Sequence, residues 1–479
     1  MKNLKIFLFT ILVLGLGACK KYLTVEPAAE VTTEKMFETK EGYVDALTGV
    51  YINMRKNYSP ASFLINGGIE DMANLYTVVN TTTASYMLTQ HNYLASLVDD
   101  QLNATFLNNY NAIANLNNML EALSGQTVLE DRVAKVVEGE ALGLRAFLHF
   151  DLIRLWGPMP SSIGSKTYLP YVTSTSKENY QYDTYQGYMA KLSADLDKAE
   201  SLLLTADPIL KYSNTALNVS TASLTGYKEL YWYYRQNRMN YYAVLGLQAR
   251  VKLWMGDKDS ALKYAKMVVD ATNTDATKKF TLGTRTNTTV KNYVFFTEHL
   301  FGLNLAGGFD DAATASGRFA TRYQPQSRIL NDLYENVSDL RSSTALWYYT
   351  TITGVSGTAM TSKKYAEMTV STGSTNPYSV PLIRLSEMYL IIAECASLTE
   401  ANSYYQTFRT SREASYTPMT ESNRPSVMLK EYLKEFYAEG QAFFTYKRFG
   451  TQNMLWSNHT TGETQYVPSL PSRESGTFR

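Results

Sequence analysis

Apolar residues recur at intervals of three and four positions along most of this chain, and this spacing predicts amphipathic helices. In one stretch, Phe106, Tyr110, Ile113, Leu116 and Leu120 fall on a single helical face. The pattern predicts helices over residues 41–55, 100–123, 131–156, 185–204, 238–254, 259–271, 381–398, 402–414 and 428–449. We therefore expect an all-α protein.

Short links between neighbouring helices indicate that they form hairpins. Residues 238–254 and 259–271 are separated by four positions only, and Ala249, Ala261 and Val268 have the spacing of small and bulky positions in a tetratricopeptide-type hairpin. Small residues allow two helices to approach each other closely. We predict a tetratricopeptide-like scaffold of about four hairpins.

Three long regions without helical period interrupt this scaffold. Residues 57–96, 272–326 and 347–380 are rich in Gly, Asn, Thr, Ser and Tyr, which favour loops and turns. Alternating stretches at 347–352 and 365–371 predict short strands. Loops carried by a rigid scaffold are common places for binding sites, so we expect the function to lie there.

The N-terminus has the pattern of a removable secretory signal. Lys2 and Lys5 precede an apolar run over residues 6–16, which is too short to span a bilayer and is followed by Gly17-Ala18-Cys19. This arrangement resembles the lipobox of bacterial lipoproteins, which implies a signal peptide over 1–18, a lipid on Cys19 and a tether over 19–40. Ordinary secretion, with Cys19 at this position by chance, is the alternative.

Charge and cysteine content exclude several classes of protein. The chain has 45 Lys and Arg against 44 Asp and Glu, so it lacks the basic excess of nucleic-acid-binding proteins. With Cys19 lipidated, only Cys395 remains, and the exported protein relies on packing instead of disulfides. Tyrosine is abundant, with 37 residues, and its flat ring and hydroxyl suit both protein cores and sugar binding.

No motif in the chain predicts catalysis. The four histidines are scattered without metal-ligand spacing, and no phosphate-binding or dinucleotide-binding glycine motif is present. Neighbouring carboxylates such as Asp99 and Asp100 point apart, whereas a glycosidase needs two carboxylates that face each other across a sugar. We therefore predict a protein that is not an enzyme and that needs no cofactor or metal.

Five motifs in chain order resemble the SusD/RagB family of surface glycan-binding lipoproteins. They are residues 19–27 with Met36-Phe37, residues 139–150 leading to Trp156-Gly157-Pro158, Tyr188 with Asp195-Leu196, residues 381–390 with Ala393-Glu394, and residues 435–440 leading to 447–450. The resemblance spans nearly the whole chain. It implies an N-terminal SusD-like part over 41–225 and a C-terminal RagB/SusD-like part over 226–479, packed as one body.

The resemblance also implies a function, a partner and a site. The protein would sit on the outer face of the outer membrane and deliver captured glycan to a SusC-like TonB-dependent transporter. The glycan site would come from the loop after the first helix and from residues 293–323. The candidate glycan-binding residues are Asp71, Asn74, Tyr76, Tyr86, Tyr93, Phe309, Arg318 and Tyr323. A peptide ligand, a surface glycosidase and a pure interaction scaffold are the alternatives.

Charged residues inside apolar helices are expected to be structural. Glu140 with Arg145, and Arg384 with Glu387 and Glu394, are predicted to form ion pairs, since an unpaired buried charge is strongly disfavoured.

Near the C-terminus the chain departs from the family. Tyr432, Ala442 and Thr445 stand where the family tends to place charged residues. This departure puts a structural ion-pair network in doubt.

Overall fold

A computed structural model describes residues 33–176, 180–305, 321–335, 338–352, 357–365 and 378–475. The principal helices are α1 (Lys40–Tyr58), α2 (Gly68–Met72), α3 (Ala84–Thr89), α4 (Ser96–Leu123), α5 (Asp131–Trp156), α6 (Tyr185–Ala206), α7 (Tyr241–Trp254), α8 (Lys258–Val269), α9 (Leu385–Cys395), α10 (Leu398–Ser411), α11 (Arg424–Glu435) and α12 (Ala442–Phe449). The strands are β1 (Thr167–Leu169), β2 (Asp183–Thr184), β3 (His299–Asn304), β4 (Gln324–Pro325), β5 (Trp347–Thr351), β6 (Thr358–Ser362) and β7 (Ser379–Arg384).

The predicted helical fold class is confirmed. Consecutive helices pack as α4 on α5, α5 on α6, α7 on α8, α9 on α10 and α11 on α12, and α8 packs on α9 to join the hairpins into one series. From Gly139 to Trp156, α5 is buried on all sides, as expected of a central helix. Gly139 permits close contact with α6, because a Cβ there would lie 2.7 Å from Leu203 Cγ. Within the described part of the chain, no helix has the length and hydrophobicity needed to cross a membrane.

Two predicted helices were partly wrong. Residues 381–384 form the end of β7, which pairs antiparallel with β3. All six residues of β7 are buried. A short, fully buried strand has no alternation of apolar and polar residues, so its sequence pattern does not distinguish it from a buried helix. The predicted helix over 428–449 is broken between α11 and α12, where Ala438 and Gly440 have φ values of +66° and +71°. The strand predicted at 347–352 is confirmed as β5, whereas Tyr365 lies in a turn and 366–371 lie outside the described residues.

The charged residues inside the helices are paired, but with other partners than the sequence suggested. Arg145 bonds to Asp195 of α6, with 2.7 Å between Nη2 and Oδ1, and Glu140 pairs with Arg235. In the C-terminal part, Glu387 pairs with Arg250 and Glu394 with Arg448. Periodicity identifies which charges are buried, but it contains no information about partners from distant elements.

Among the described residues, a large group of buried charges lies between β7, α10 and α11. Its members, here called the ion-pair network, are Arg341, Lys364, Arg384, Arg409, Arg412, Glu298, Asp339, Glu431, Glu435 and Glu439. Glu435 Oε1 lies 2.8 Å from Arg384 Nη1 and 2.7 Å from Arg412 Nη2. Although burial alone would raise the pKa of Glu435, Arg412 and Arg384 hold it well below its usual range.

The doubt about such a network, raised by Tyr432, Ala442 and Thr445, was therefore wrong. The network draws its charges from β7, α10, α11 and neighbouring loops, and none of these three positions supplies one.

The segment after α11 connects the ion-pair network to the loop between α1 and α4. Gly440 N–H donates to Glu70 Oε1 at 2.7 Å, and Tyr437 OH donates to Leu75 O at 3.1 Å. Burial raises the pKa of Glu70 to about 8, although the Gly440 N–H favours the charged form. The contact is tight, because a Cβ at Gly440 would lie 1.8 Å from Leu64 O. These contacts hold the buried first half of the loop against the segment after α11.

Replacing Gly440 with Ala should destabilise the protein strongly. The position combines a φ of +71° with a backbone clash at Leu64 O, and we expect a loss of at least about 3 kcal/mol in the free energy of unfolding. Gly256→Ala is the matched control, because Gly256 has a φ of +80° but open space around it. Its left-handed backbone alone should cost about 1 kcal/mol. Thermal unfolding followed by circular dichroism compares the two, and equal losses would contradict the proposed close contact.

Replacing Glu70 with Gln should make stability less sensitive to pH. A carboxyl group whose pKa is raised to about 8 in the folded state keeps its proton while the unfolded chain releases it near pH 4.5, so the wild type loses stability as pH rises from about 5 to 8. The glutamine side chain remains neutral and still accepts from Gly440 N–H. The melting temperature of Glu70→Gln should therefore exceed that of the wild type by more at pH 8 than at pH 5. Glu41→Gln, at an exposed position, should show no such trend, and a difference for Glu70→Gln that does not change with pH would contradict the assignment.

Candidate functional site

The loop between α1 and α4 forms one side of the candidate site. Its first half is buried and includes α2, whereas its second half carries exposed polar residues and α3. Thr83 caps α3, since its side chain accepts from Tyr86 N–H at 3.2 Å. Asn80 arranges the preceding turn by accepting from both the N–H and the hydroxyl of Thr82. These local bonds hold Tyr86 in a defined position near the surface.

The second predicted region meets this loop. Thr77 N–H donates to Tyr323 O at 3.0 Å, and Gln324 Nε2 donates to Leu75 O at 3.0 Å. Arg322 forms an ion pair with Asp71 and lies 5.3 Å from the centre of the Tyr76 ring. The structure thus brings Arg322 and Tyr323, at the end of the second region that the resemblance had pointed to, against the loop. Phe309 and Arg318 lie outside the described residues.

Most of the predicted ligand residues lie beneath the surface. The exposed fractions are 1% for Asp71, 7% for Asn74, 4% for Tyr76, 7% for Tyr93 and 4% for Tyr323. Their polar groups are engaged within the protein: Tyr76 OH donates to Asn66, Tyr93 OH to Gln465 O, and Asn74 Nδ2 to Thr89 O at 3.3 Å. Of the predicted residues that are described, Tyr86 is the one with a partly exposed ring. The glycan-binding role of these residues stays a prediction.

The sequence prediction missed the C-terminal segment that completes this surface. Trp456 is half-buried, has a φ of +68°, and donates from Nε1 to Asp332 Oδ2 at 3.0 Å. The other four tryptophans are at most 4% exposed, so Trp456 alone among them presents its ring to solvent. The signal available in the sequence was a single Trp in a stretch of Asn, Ser and Thr, which does not distinguish a surface ring from a packed one.

A histidine pair joins the C-terminal segment to the loop. His91 Nε2 lies 2.9 Å from Met72 O and therefore donates to it, which leaves Nδ1 to accept from His459 Nε2 at 2.8 Å. Burial, together with His459, lowers the pKa of His91 to about 4, and burial also lowers the pKa of His459. This is the geometry of a structural contact. Among the described residues, no group of three or more His, Cys, Asp or Glu side chains is arranged to hold a metal ion.

Hydrogen bonds of Thr77 with Tyr323, Asp332 with Trp456, and His91 with His459 link residues 77–92, 321–332 and 454–459, which we call the loop face. It presents two partly exposed aromatic rings, Tyr86 and Trp456, together with the amide of Gln90, while the guanidinium of Arg322 beneath them is largely buried and paired with Asp71. Aromatic rings cover the apolar face of a sugar, and amides and guanidinium groups bond its hydroxyls. The loop face therefore has the chemistry of a shallow saccharide site.

Two family models match the chain. A model described as starch-binding associating with outer membrane matches residues 21–219, and the SusD family model matches residues 227–477. The chain is also similar to SusD-like protein P25 of Formosa agariphila, with 22% identity over 165 residues. That alignment covers 33% of this chain and 31% of the relative, so the matched part spans about a third of the relative's length.

Solved structures show the same fold. A SusD superfamily protein from Bacteroides vulgatus has a TM-score of 0.68 at 17% identity, and the match covers 91% of this chain and 96% of that one. One from Bacteroides thetaiotaomicron has a TM-score of 0.65 at 20% identity, covering 91% and 98%. A laminarin-binding SusD-like protein has a TM-score of 0.64 at 15% identity, covering 91% and 97%. Because the two family models together match nearly the whole sequence, the chain belongs to the SusD family.

Proposed function

We propose that this chain is a lipid-anchored glycan-binding protein of the outer membrane, which captures oligosaccharide or polysaccharide at the loop face and delivers it to a SusC-like TonB-dependent transporter. The observation that carries this proposal is the match of both halves of the chain to SusD family models, one of them described as starch-binding and associated with the outer membrane. The laminarin-binding neighbour is an example of saccharide binding on the same fold.

The geometry of the loop face supports capture without bond cleavage. Asp332 accepts a hydrogen bond from the indole of Trp456 and orients its ring. Asp71 is buried against Arg322. Both carboxylates thus hold other side chains in place, Asp71 buried and Asp332 exposed, and the two engage different partners instead of facing each other. A shallow site of this kind gives dissociation constants of about 1 mM to 1 μM, equivalent to roughly −4 to −8 kcal/mol.

Removing an exposed ring from the loop face should weaken glycan binding. We expect Tyr86→Ala and Trp456→Ala each to raise the dissociation constant at least about tenfold, because each removes a stacking surface. Tyr349→Ala is the matched control, since Tyr349 is 38% exposed on β5 and lies outside the loop face. Isothermal titration calorimetry with a panel of laminarin, starch and xylan fragments measures binding, and reducing-sugar release from the same samples detects turnover. Unchanged affinity in both loop-face variants would contradict the site, and turnover would favour a glycosidase.

Cys19 should carry the lipid anchor. Replacing Cys19 with Ala in the full chain is expected to abolish incorporation of radiolabelled palmitate and to release the protein from the membrane fraction, because the thiol is the proposed point of acylation. Cys395→Ala is the control: Cys395 is half-buried in α9, and burial raises the pKa of its thiol to about 12. Label retained after Cys19→Ala, or lost after Cys395→Ala, would refute the anchor.

A further inference from the structure

A second cavity lies away from the loop face, along the middle of α4. It has a volume of about 470 Å³, within the range of small-molecule sites. Leu107, Asn111, Ala114 and Asn118 line it at spacings of four, three and four, which places them on one face of the helix. Asn111 lies roughly 22 Å along the helix from Ser96, which directly follows the loop after α1. We call this cavity the α4 groove.

The opposite wall of the α4 groove, in its described residues 170–176 and 180–182, is braced by hydrogen bonds. Asn117 Nδ2 donates to Val172 O and to Ser174 O, both at 3.2 Å. Thr175 bonds to Glu121 through both its N–H and its hydroxyl, at 2.8 and 2.6 Å. Tyr180 OH lies 2.8 Å from Ser174 O. Each of these bonds joins or braces the wall, so the groove is formed before any ligand enters.

The floor of the groove is aromatic. Phe106 and Tyr110 lie with ring centroids 4.7 Å apart, and Tyr110 OH donates to Pro170 O at 3.1 Å. Tyr180 and Tyr182 also line the cavity. Tyr110 and Tyr182 are half-buried, so each presents part of its ring to the groove. Rings in this arrangement offer flat apolar surface to a ligand that has an apolar face.

The rim of the groove carries two polar side chains, Asn111 and Asn118. Asn111 is exposed and Asn118 half-buried, and neither side-chain amide has a hydrogen-bond partner among the described residues. The two amides lie seven residues, or roughly 10 Å, apart along α4. One ligand can therefore bond both only if it is longer than a single sugar ring. Each amide both donates and accepts, as sugar hydroxyls do.

Glu474 closes one end of the groove. Its short helix is attached to α4, because Ser472 bonds to Asp99 through its N–H at 3.0 Å and its hydroxyl at 2.6 Å. Burial raises the pKa of the Glu474 carboxyl. A carboxylate at this point accepts hydrogen bonds from hydroxyls and repels anions, which favours a neutral polyol over an acidic ligand.

We propose that the α4 groove is a second saccharide site, distinct from the loop face, which binds a short neutral oligosaccharide of two or three sugar units. The proposal rests on the function proposed above, because it assumes that the protein is exposed to glycan. Its basis is the combination, in one cavity, of an aromatic floor, a carboxylate and two side-chain amides that have no partner among the described residues. Two sites on one molecule would hold a polysaccharide at two points and slow its release.

The test blocks each site separately. Ala114→Trp fills the groove from an exposed position of α4, and Ala104→Trp places the same side chain at an exposed position of the same helix that does not line the groove. Both are introduced into the wild type and into the Tyr86→Ala/Trp456→Ala loop-face variant. Asn118→Leu is a second groove variant that removes an amide without filling the cavity. Maltotriose, cellotriose and laminaritriose are the probes, with binding followed by NMR of selectively labelled Asn side-chain amides.

The expected result is residual trisaccharide binding in the loop-face variant, weakened at least about tenfold by Ala114→Trp and by Asn118→Leu but not by Ala104→Trp. If the wild type binds a probe and the loop-face variant binds none, the second site is refuted while the proposed function stands. If no probe binds to the wild type, both are refuted. If the groove variants reduce only co-purification with the transporter, the groove is a protein interface and the saccharide proposal is overturned.

Discussion

The pairing of buried charges is the constraint on which the rest of the C-terminal part depends. The ion-pair network contains five cationic and five anionic side chains, so its charges balance without solvent. Removing one partner of such a group leaves an uncompensated charge and costs about 3–5 kcal/mol, although an intact buried pair often adds little net stability over a well-packed apolar pair. Arg384 comes from β7, Arg412 follows α10 and Glu435 ends α11, so the ion pairs of Glu435 join these three elements.

That arrangement determines where the loop face lies. Glu439 belongs to the network through Arg384, and the next residue, Gly440, bonds to Glu70 at the base of the loop after α1. Tyr437, two positions before Glu439, donates a hydrogen bond from its hydroxyl to Leu75 O. The network therefore holds one turn in position, and that turn holds the loop. Loops usually vary in conformation, but here the buried half is fixed to the scaffold and only the second half, which carries Tyr86, is left at the surface.

The spacing of apolar residues was sufficient to predict most of the helices, but it was insufficient to predict which side chains are exposed to solvent. The helix predicted over 131–156 has the same two ends in the structure, because its apolar period is long and Gly157 follows it. Residues 381–384 were misassigned because a fully buried strand and a buried helix have the same composition. At the candidate site, the resemblance to the family indicated the two regions, but nothing in the sequence indicated how deeply Tyr76 and Tyr323 are buried. How deeply a side chain is buried depends on contacts between residues hundreds of positions apart, such as Thr77 with Tyr323. A local sequence pattern does not reveal such contacts.

The tyrosine content has a structural explanation that also limits the binding site. Many of the hydroxyls join one element to another across long sequence distances: Tyr43 bonds to Ala122 O, Tyr51 to Glu140, and Tyr58 to Asp151. A tyrosine at such a position fills core volume and satisfies a polar group in the same side chain, which Phe cannot do. Abundance of tyrosine in this fold therefore reflects how loops and helices are joined together. Ligand contact must therefore be assigned to rings that the joining leaves partly exposed, and the loop face and the α4 groove each contain such rings beside polar groups.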